Sequence, residues 1–403
     1  MLHHKHHLTY CTNIHAGESW QDIKKSLKEY LPSIKKDLEL DAPLGIGLRL
    51  SGEAGKKLAN QEQLDEFKAW LISENLYVFT MNGFPYGGFH HQVVKDDVHK
   101  PDWTTSERLR YTLQLFDILA ELLPDGMDGG ISTSPLSYKY WHKTDAETQK
   151  AFDESNKNIL KVVAHLYKIE QQTGKILHLD IEPEPDGLIE NTPEVIDYFN
   201  NWLLPKGIPY LEKELGISDA QAEAAIRKHI QLCYDVCHYA VGYEEPSEVF
   251  LKMKEEGIGI GKIQISAALK AQLPENPADR KEIEKEFSPF VESTYLHQVV
   301  ALTKDKTLLH YNDLPPALAD IGNTEVTEWR THFHVPVFLE KYSKLYSTQE
   351  DIKKVLEYIK LEEVTNHLEV ETYTWEVLPK DIRLDLKDSI VRELKWVKET
   401  LDK

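Results

Sequence analysis

The chain has 403 residues, of which 41% are hydrophobic, a proportion that is ordinary for a folded protein with one large domain or two smaller ones. Its formal net charge of −20 disfavours a general nucleic-acid or anionic-membrane surface. No apolar run approaches the roughly 20 residues of a membrane-spanning helix, the N-terminus lacks the apolar core of a signal peptide, and the three cysteines suggest no disulfide framework. We therefore expect a cytoplasmic protein without nucleic-acid or membrane partners, and homo-oligomerisation stays open.

Strand and helix patterns alternate along almost the entire chain. Helical patterns lie near residues 19–38, 105–123 and 146–173, and a terminal helix is expected from about residue 379. Alternating units of this kind predict an α/β fold with a parallel sheet, and eight of them favour a single (β/α)8 TIM barrel. The predicted strands lie near residues 7–15, 44–51, 76–83, 129–135, 176–182, 230–238, 261–266 and 367–375.

Two segments interrupt the alternation of strand and helix patterns. Residues 270–362 contain two apolar runs that can pair as a hairpin and the extended segment THFHVP at 331–336. We expect one domain over residues 1–403, with 270–362 inserted between the seventh and eighth strands and contributing to the barrel mouth. The aromatic, glycine-rich loop at 84–103 is either a lid over the pocket or a satellite hydrophobic cluster.

The fifth strand carries the strongest functional signal. It places three aliphatic residues on one side and His178, Asp180 and Glu182 on the other. Barrel active sites lie at the C-terminal ends of the strands, so Glu182 is predicted at the mouth. Carboxylates that converge there repel one another unless a cation or shared protons offset their charge. The inward residues nearest the eight strand ends are His15, Arg49, Asn82, Ser134, Glu182, Asp235, Gln264 and Glu371.

This oxygen-rich set suits a divalent metal ion. Carboxylate and amide ligands favour Mn2+ or Mg2+, whereas added histidine moves the preference toward Zn2+, with Co2+ as a further possibility. His332 and His334 follow Arg330 and share one face of their segment, where each is a ligand, a proton carrier or a substrate contact. The alternative is a buried ionic network in which the carboxylates pair with Arg49 and Gln264 is a core amide.

Several motifs carry a family resemblance. The EP pair at Glu182, the DVCH segment at 235–238, the IQIS segment at 263–266 and the closing strand with Glu371 resemble the xylose isomerase-like TIM-barrel superfamily. That superfamily includes sugar isomerases, keto-sugar epimerases and endonuclease IV-type enzymes. The longer segments HHLTYCTNIHAGESW, NGFPYGGFH, LDIEPEPDG, HYNDLP and THFHVPVF are similar to the metabolite traffic protein EboE family, and together they extend over nearly the whole chain.

The resemblance implies roles for individual residues. It implies metal ligation by Glu182, Asp235 and Glu371 and proton exchange by the two glutamates. His238 would be the accompanying catalytic histidine that contacts the substrate. Gln264 stands where a histidine ligand is usual, and His334 is a compensating candidate. We predict that the remaining substrate contacts are His15, Arg49, Asn82, His332 and Arg330.

Three functions remain open at this point. The favoured one is a metal-dependent isomerase, epimerase or related lyase acting on a small sugar- or cyclitol-like metabolite, in the synthesis or traffic of a secondary-metabolite precursor. The second is a non-catalytic metabolite carrier that keeps the barrel pocket, and the departure at Gln264 is its main support. An endonuclease IV-like phosphodiesterase is less favoured because of the charge of −20.

Overall fold

Eight parallel strands form the centre of the molecule. The computed structural model describes residues 1–84, 95–291, 296–375 and 383–403. The strands are β1 (His6–Tyr10), β2 (Leu44–Arg49), β3 (Leu76–Asn82), β4 (Gly129–Thr133), β5 (Leu177–Ile181), β6 (Ile230–Asp235), β7 (Ile260–Ile265) and β8 (His367–Val370). They follow one another around the sheet in the order β1-β8-β7-β6-β5-β4-β3-β2, and a short strand, Leu2–His3, adds to β1. The predicted (β/α)8 barrel is therefore confirmed.

The barrel closes between β1 and β2 largely through a side chain. The Thr9 hydroxyl donates a hydrogen bond to Gly45 O (2.8 Å) and accepts one from Gly47 N (3.1 Å). Thr12 Oγ1 accepts another from the backbone N of Arg49 (2.9 Å). A single main-chain bridge, between Cys11 and Gly47, accompanies them. We call this join the seam, since the other neighbouring barrel strands pair through ladders of main-chain hydrogen bonds.

Amphipathic helices, most of which have a side-chain cap at the N-terminus, surround the barrel. Ser19 caps α1, which buries Trp20 and Leu27. The helical segment from Thr192 to Leu215 contains a π-helical turn at Tyr198–Leu203, just before Pro205, which lacks an N–H for the regular hydrogen-bond pattern. The helices are α1 (Trp20–Asp37), α2 (Gly52–Leu58), α3 (Gln61–Ser73), α4 (Ser106–Leu122), α5 (Asp145–Thr173), α6 (Thr192–Asp197), α7 (Leu204–Leu215), α8 (Asp219–His229), α9 (Val236–Val241), α10 (Pro246–Glu255), α11 (Pro277–Phe287), α12 (Leu314–Ala319), α13 (Gln349–Leu361) and α14 (Leu386–Asp402).

Among the helices of the described ranges, none combines the length and the apolar character needed to cross a bilayer.

A second sheet of six strands lies between β7 and β8 in the chain. It contains the predicted hairpin, in which Val299–Thr303 pairs antiparallel with Leu308–Tyr311. Its chain returns to the barrel where Val335 N donates to Ala267 O (3.0 Å). This contact brings the residues just after strand Val326–Thr331 against the ends of the barrel strands. The other strands of this sheet are Leu269–Gln272, Lys341–Tyr342 and Leu345–Ser347.

The barrel interior is polar, whereas TIM barrels are usually filled by layers of branched aliphatic side chains. Lys262 Nζ donates to Glu369 Oε2 (2.8 Å), and both side chains are completely buried. His178 Nδ1 donates to Asp180 Oδ1 (2.6 Å) nearer the N-terminal ends of the strands. Gly261 makes room for this second pair, because a Cβ there would lie 1.9 Å from Asp180 Oδ1 and 2.5 Å from His178 Nδ1.

Gly261→Ala is therefore expected to lower the free energy of unfolding by about 1–3 kcal/mol, the usual cost of overpacking a core. Urea denaturation measures this change. Gly55→Ala in α2 is the matched control, because its Cβ would meet no atom closer than 3.6 Å. The control is expected to be neutral or to stabilise by up to about 1 kcal/mol. Equal midpoints for the two variants would contradict the packing argument.

Candidate functional site

Three buried carboxylates meet at the C-terminal end of the barrel. Glu182 immediately follows β5, Asp235 ends β6 and Glu371 immediately follows β8. The backbone N of Glu182 donates to Thr133 O (2.9 Å), so the sheet still holds the chain at this point. One oxygen from each carboxylate lies within 4.8 Å of the other two. The structure thus brings together the three carboxylates that the sequence places at strand ends.

Two of these carboxylates each have an oxygen without a hydrogen-bond partner. Asp235 Oδ1 accepts from Ser266 Oγ (2.7 Å) and from the backbone N of His238 (3.0 Å). Asp235 Oδ2 and Glu182 Oε2 are buried and have no hydrogen-bond partner. Buried polar atoms without partners are costly, and carboxylate oxygens in this condition are suited to a cation.

Two amides orient the third carboxylate. Glu371 Oε1 accepts hydrogen bonds from Asn13 Nδ2 (2.8 Å) and Asn82 Nδ2 (3.4 Å). Asn82, which we predicted to contact substrate, is thus in contact with a candidate catalytic group. Asn13 was not among the predicted site residues. The signal in the sequence is its position on the same face of the first strand as Thr9.

The insertion supplies an imidazole to the same group. His334 Nδ1 donates to the backbone O of Glu371 (3.1 Å), while its ring stacks on Tyr373 at a centroid distance of 4.7 Å. This hydrogen bond leaves the Nε2 lone pair free. Nε2 lies 3.8 Å from Asp235 Oδ2 and has no hydrogen-bond partner. A backbone bond at one ring nitrogen is the usual way in which a metal-binding histidine is oriented.

A pair of histidines lies beside the carboxylates. His238 Nδ1 lies 3.0 Å from Pro183 O and 3.7 Å from Glu182 Oε1. Its Nε2 is 3.0 Å from Nε2 of His332, whose Nδ1 is 3.0 Å from Gln298 Oε1. Burial, followed by the neighbouring histidines, lowers the pKa of both His238 and His332 well below the usual value, so both rings are neutral near pH 7.

The electrostatics of the carboxylates favour a bound positive charge. Burial is the main cause that raises the pKa of Glu182 well above its ordinary value, and Glu371 and Asp235 add to the effect. Burial and then Asp235 raise the pKa of Glu371 in the same way. Protons or a divalent cation relieve this repulsion equally well in principle. The donor set of three carboxylates and one imidazole fits a divalent ion.

Gln264 is completely buried and already has a partner. Its Oε1 accepts from Cys233 Sγ (3.1 Å), whereas its Nε2 has none. Its role as a metal ligand stays a prediction.

Other predicted substrate contacts also have partners within the protein. The roles of these side chains in substrate binding stay predictions. The suggested lid, the aromatic loop, lies partly outside the described residues, at 85–94. Side-chain hydrogen bonds within the protein join Arg49 to Glu18 (2.9 Å), His15 to Tyr10 (2.7 Å) and Arg330 to Glu328 (2.9 Å).

No protein-family model and no curated protein sequence matches the chain. Solved structures resemble it over nearly its full length. One is a xylose isomerase-like TIM-barrel protein from Mycobacterium smegmatis in complex with magnesium, at 11% identity and a TM-score of 0.49 over 99% of this chain and 97% of that chain. Another is the IOLI protein with a bound zinc atom (12% identity, TM-score 0.48, 98% of each chain). A third is a D-tagatose 3-epimerase-like protein (10%, 0.49, 98% of this chain and 97% of that chain).

Proposed function

We propose that the chain is a metal-dependent isomerase or epimerase, or a related lyase, acting on a small polyhydroxylated sugar- or cyclitol-like metabolite. The observation that carries this proposal is the convergence of Glu182, Asp235 and Glu371. His334 Nε2 lies 3.8 Å from Asp235 Oδ2, and several of these ligand atoms are buried and without hydrogen-bond partners. The resemblance to the EboE family suggests a setting in secondary-metabolite precursor synthesis or traffic.

The proposed ligands are the three carboxylates and His334, with Gln264 as a further candidate. Three carboxylates favour Mn2+ or Mg2+, and the imidazole also admits Zn2+ or Co2+. A bound divalent ion would orient vicinal hydroxyls and polarise a carbonyl of the substrate.

The two glutamates are suited to move a proton on and off carbon. Glu182 and Glu371 come from β5 and β8, on different sides of the mouth. One ionised carboxylate removes the proton beside the carbonyl, and the other, protonated, returns a proton. In the metal-free protein, burial and the neighbouring carboxylates raise the pKa of both glutamates, and the protonated form of a carboxyl group is the one that can return a proton. Asn13 and Asn82 keep Glu371 in position, and a substrate hydroxyl could replace His332 as the hydrogen-bond partner of His238 Nε2.

The test combines metal content with proton exchange. The chelator-treated full chain is supplied with Mn2+, its bound metal is measured, and a panel of keto- and aldo-sugars and cyclitols is incubated with it in heavy water. We expect wild-type protein to bind metal and to introduce deuterium beside a carbonyl. Glu371→Gln is expected to lose the mouth ion and to slow the exchange by about 10²–10⁴-fold.

Glu184→Gln is the matched control, because Glu184 lies two residues from Glu182 but outside the group of three carboxylates. It is expected to keep both metal and exchange. A folded wild-type protein that takes up none of Mn2+, Mg2+, Zn2+ and Co2+ would overturn the proposal.

A carrier function is the second candidate, and the contact between Gln264 and Cys233 favours it. An amide oxygen that already accepts from a thiol is a weaker ligand than the histidine usual at this position. Under this alternative the protein binds one member of the panel tightly, yet no deuterium enters the bound ligand.

A further inference from the structure

The end of the barrel opposite the mouth carries a second group of metal-ligand side chains. Asp128 immediately precedes β4, His178 lies near the start of β5, and His367 begins β8. His178 Nε2 lies 3.6 Å from Asp128 Oδ2, and His367 Nε2 lies 3.5 Å from Asp128 Oδ1. We call these three residues the floor triad.

Both imidazoles of the floor triad are buried, and each has a nitrogen without a partner. The His178 side chain is 1% exposed and that of His367 is 0% exposed. Their Nε2 atoms, which face Asp128, have no hydrogen-bond partner, and Nδ1 of His367 has none either. Leaving such nitrogens without a partner in the interior is costly. A cation or a proton between the two Nε2 atoms and Asp128 would remove this cost.

Asp180 fixes the orientation of one of these rings. His178 Nδ1 donates to Asp180 Oδ1 (2.6 Å), which leaves the Nε2 lone pair directed at Asp128. A carboxylate that accepts from the far ring nitrogen is characteristic of metal-bound histidines, whose basicity it raises. Gly261 and Gly130 leave the space that this His–Asp pair occupies.

The spacing of the floor triad also suits an ion. Nitrogen–oxygen separations of 3.5 and 3.6 Å are longer than good hydrogen bonds. Two ligands of a tetrahedral zinc ion, each about 2.0–2.2 Å from the metal, lie roughly 3.3–3.6 Å apart. The three ligand atoms all lie within 4.8 Å of one another.

We propose that the floor triad binds a second divalent ion, with the ligand preferences of Zn2+, and that this ion stabilises the fold. Two imidazoles and one carboxylate are the donor set that zinc prefers. The Asp128 side chain is 38% exposed, which gives an ion access from solvent and leaves a coordination position for water. Strands β6 and β7 separate β5 from β8 in the sheet, so the ion would tie together strands that are not neighbours. This proposal does not depend on the function proposed for the mouth.

A proton is the competing occupant. Burial lowers the pKa of His178, but Asp180 and Asp128 outweigh it and raise that pKa to about 9. A protonated His178 between the carboxylates of Asp180 and Asp128 would give both of its ring nitrogens a charged partner. The experiment therefore has to measure bound metal directly. It must also exclude the exposed group of His3, His4 and Asp402, another possible metal binder near the N-terminus.

The experiment uses the full chain with the other candidate metal groups disabled, by Glu371→Gln and His334→Asn at the mouth and by His3→Ser with His4→Ser near the N-terminus. After chelation, Zn2+ and Co2+ are titrated, and bound metal, the visible Co2+ spectrum and the Tm are recorded. We expect one bound ion, an intense tetrahedral Co2+ spectrum and a higher Tm with Zn2+. Adding Asp128→Asn is expected to weaken binding at least tenfold and to abolish the Tm increase.

Asp125→Asn is the matched control, because Asp125 lies in the same loop and its side chain is fully exposed. It is expected to bind the ion as the background does. His367→Asn gives a second test of the triad with the loop intact. The proposal is overturned if the background binds no ion, or if Asp128→Asn and Asp125→Asn bind it equally well. A mouth that never binds metal leaves this result unchanged, so the two proposals fail separately.

Discussion

Lys262→Met is expected to lower the free energy of unfolding by about 3–5 kcal/mol, as measured by urea denaturation. Lys262 and Glu369 are both 0% exposed, and their Nζ and Oε2 atoms are 2.8 Å apart. Removing one partner of such a pair leaves the other charge buried and uncompensated, which is the main source of the cost. Nζ also donates to Ser132 Oγ (3.1 Å), and methionine cannot replace that bond.

The double variant Lys262→Met/Glu369→Leu separates charge from packing. Replacing both members of a buried pair by apolar side chains of similar volume is often neutral or stabilising. We therefore expect the double variant to recover most of the lost stability. If Lys262→Met alone costs less than about 1 kcal/mol, or if the double variant is no better, the ion pair does not dominate the interior.

Glu182→Gln is expected to stabilise the metal-free protein at pH 8, since an amide never ionises and so avoids the cost of a buried charge beside two other carboxylates. The pKa of Glu182 in the folded state lies well above its ordinary value of 4.5, chiefly because of burial. Below about pH 4.5 both folded and unfolded chains hold the proton. Above it the unfolded chain releases the proton while the folded chain keeps it, so wild-type stability falls as the pH rises.

Denaturation curves between pH 4.5 and 8.5 test this prediction. They are recorded in chelator, for the metal-free protein, and in Mn2+, for the metal-bound protein. In chelator, wild type should lose more stability with rising pH than Glu182→Gln does. In Mn2+ at 100 times Kd, wild type should gain about 2.7 kcal/mol, and the variant should gain much less. The same carboxylate would then destabilise the empty fold and stabilise the loaded one, as functional residues often do. Parallel curves for the two proteins in chelator would contradict the electrostatic argument.

The barrel and its three mouth carboxylates were predictable because strand geometry is local. A period of two determines which residues point inward, and parallel strands place their C-terminal ends together. Glu182, Asp235 and Glu371 therefore meet once the eight strands close into a barrel. The same reasoning places His178 and Asp180 inside the barrel, where the structure pairs them.

Contacts that depend on tertiary folding were not predictable in the same way. The position of His334 depends on the return of the insertion to the barrel at Ala267, which no local pattern encodes. The pairing of His238 with His332 joins residues 94 positions apart. Asp128 lies in a loop rather than in a strand, so the alternation that indicated His178 gave no sign that this carboxylate lies beside it.

The seam between β1 and β2 has a dynamic consequence. The seam is maintained by the Thr9 and Thr12 hydroxyls and one main-chain bridge, which is less main-chain pairing than joins the other neighbouring strands of the barrel. Regions with few backbone hydrogen bonds are where native proteins open locally. Asn13 and Glu371 lie on the side of β1 and β8, whereas Asn82 ends β3 on the other side. Each opening of the seam would move Asn82 away from Glu371, because the two residues lie on opposite sides of it. Local opening of the barrel and loss of the Asn82–Glu371 hydrogen bond would therefore occur together.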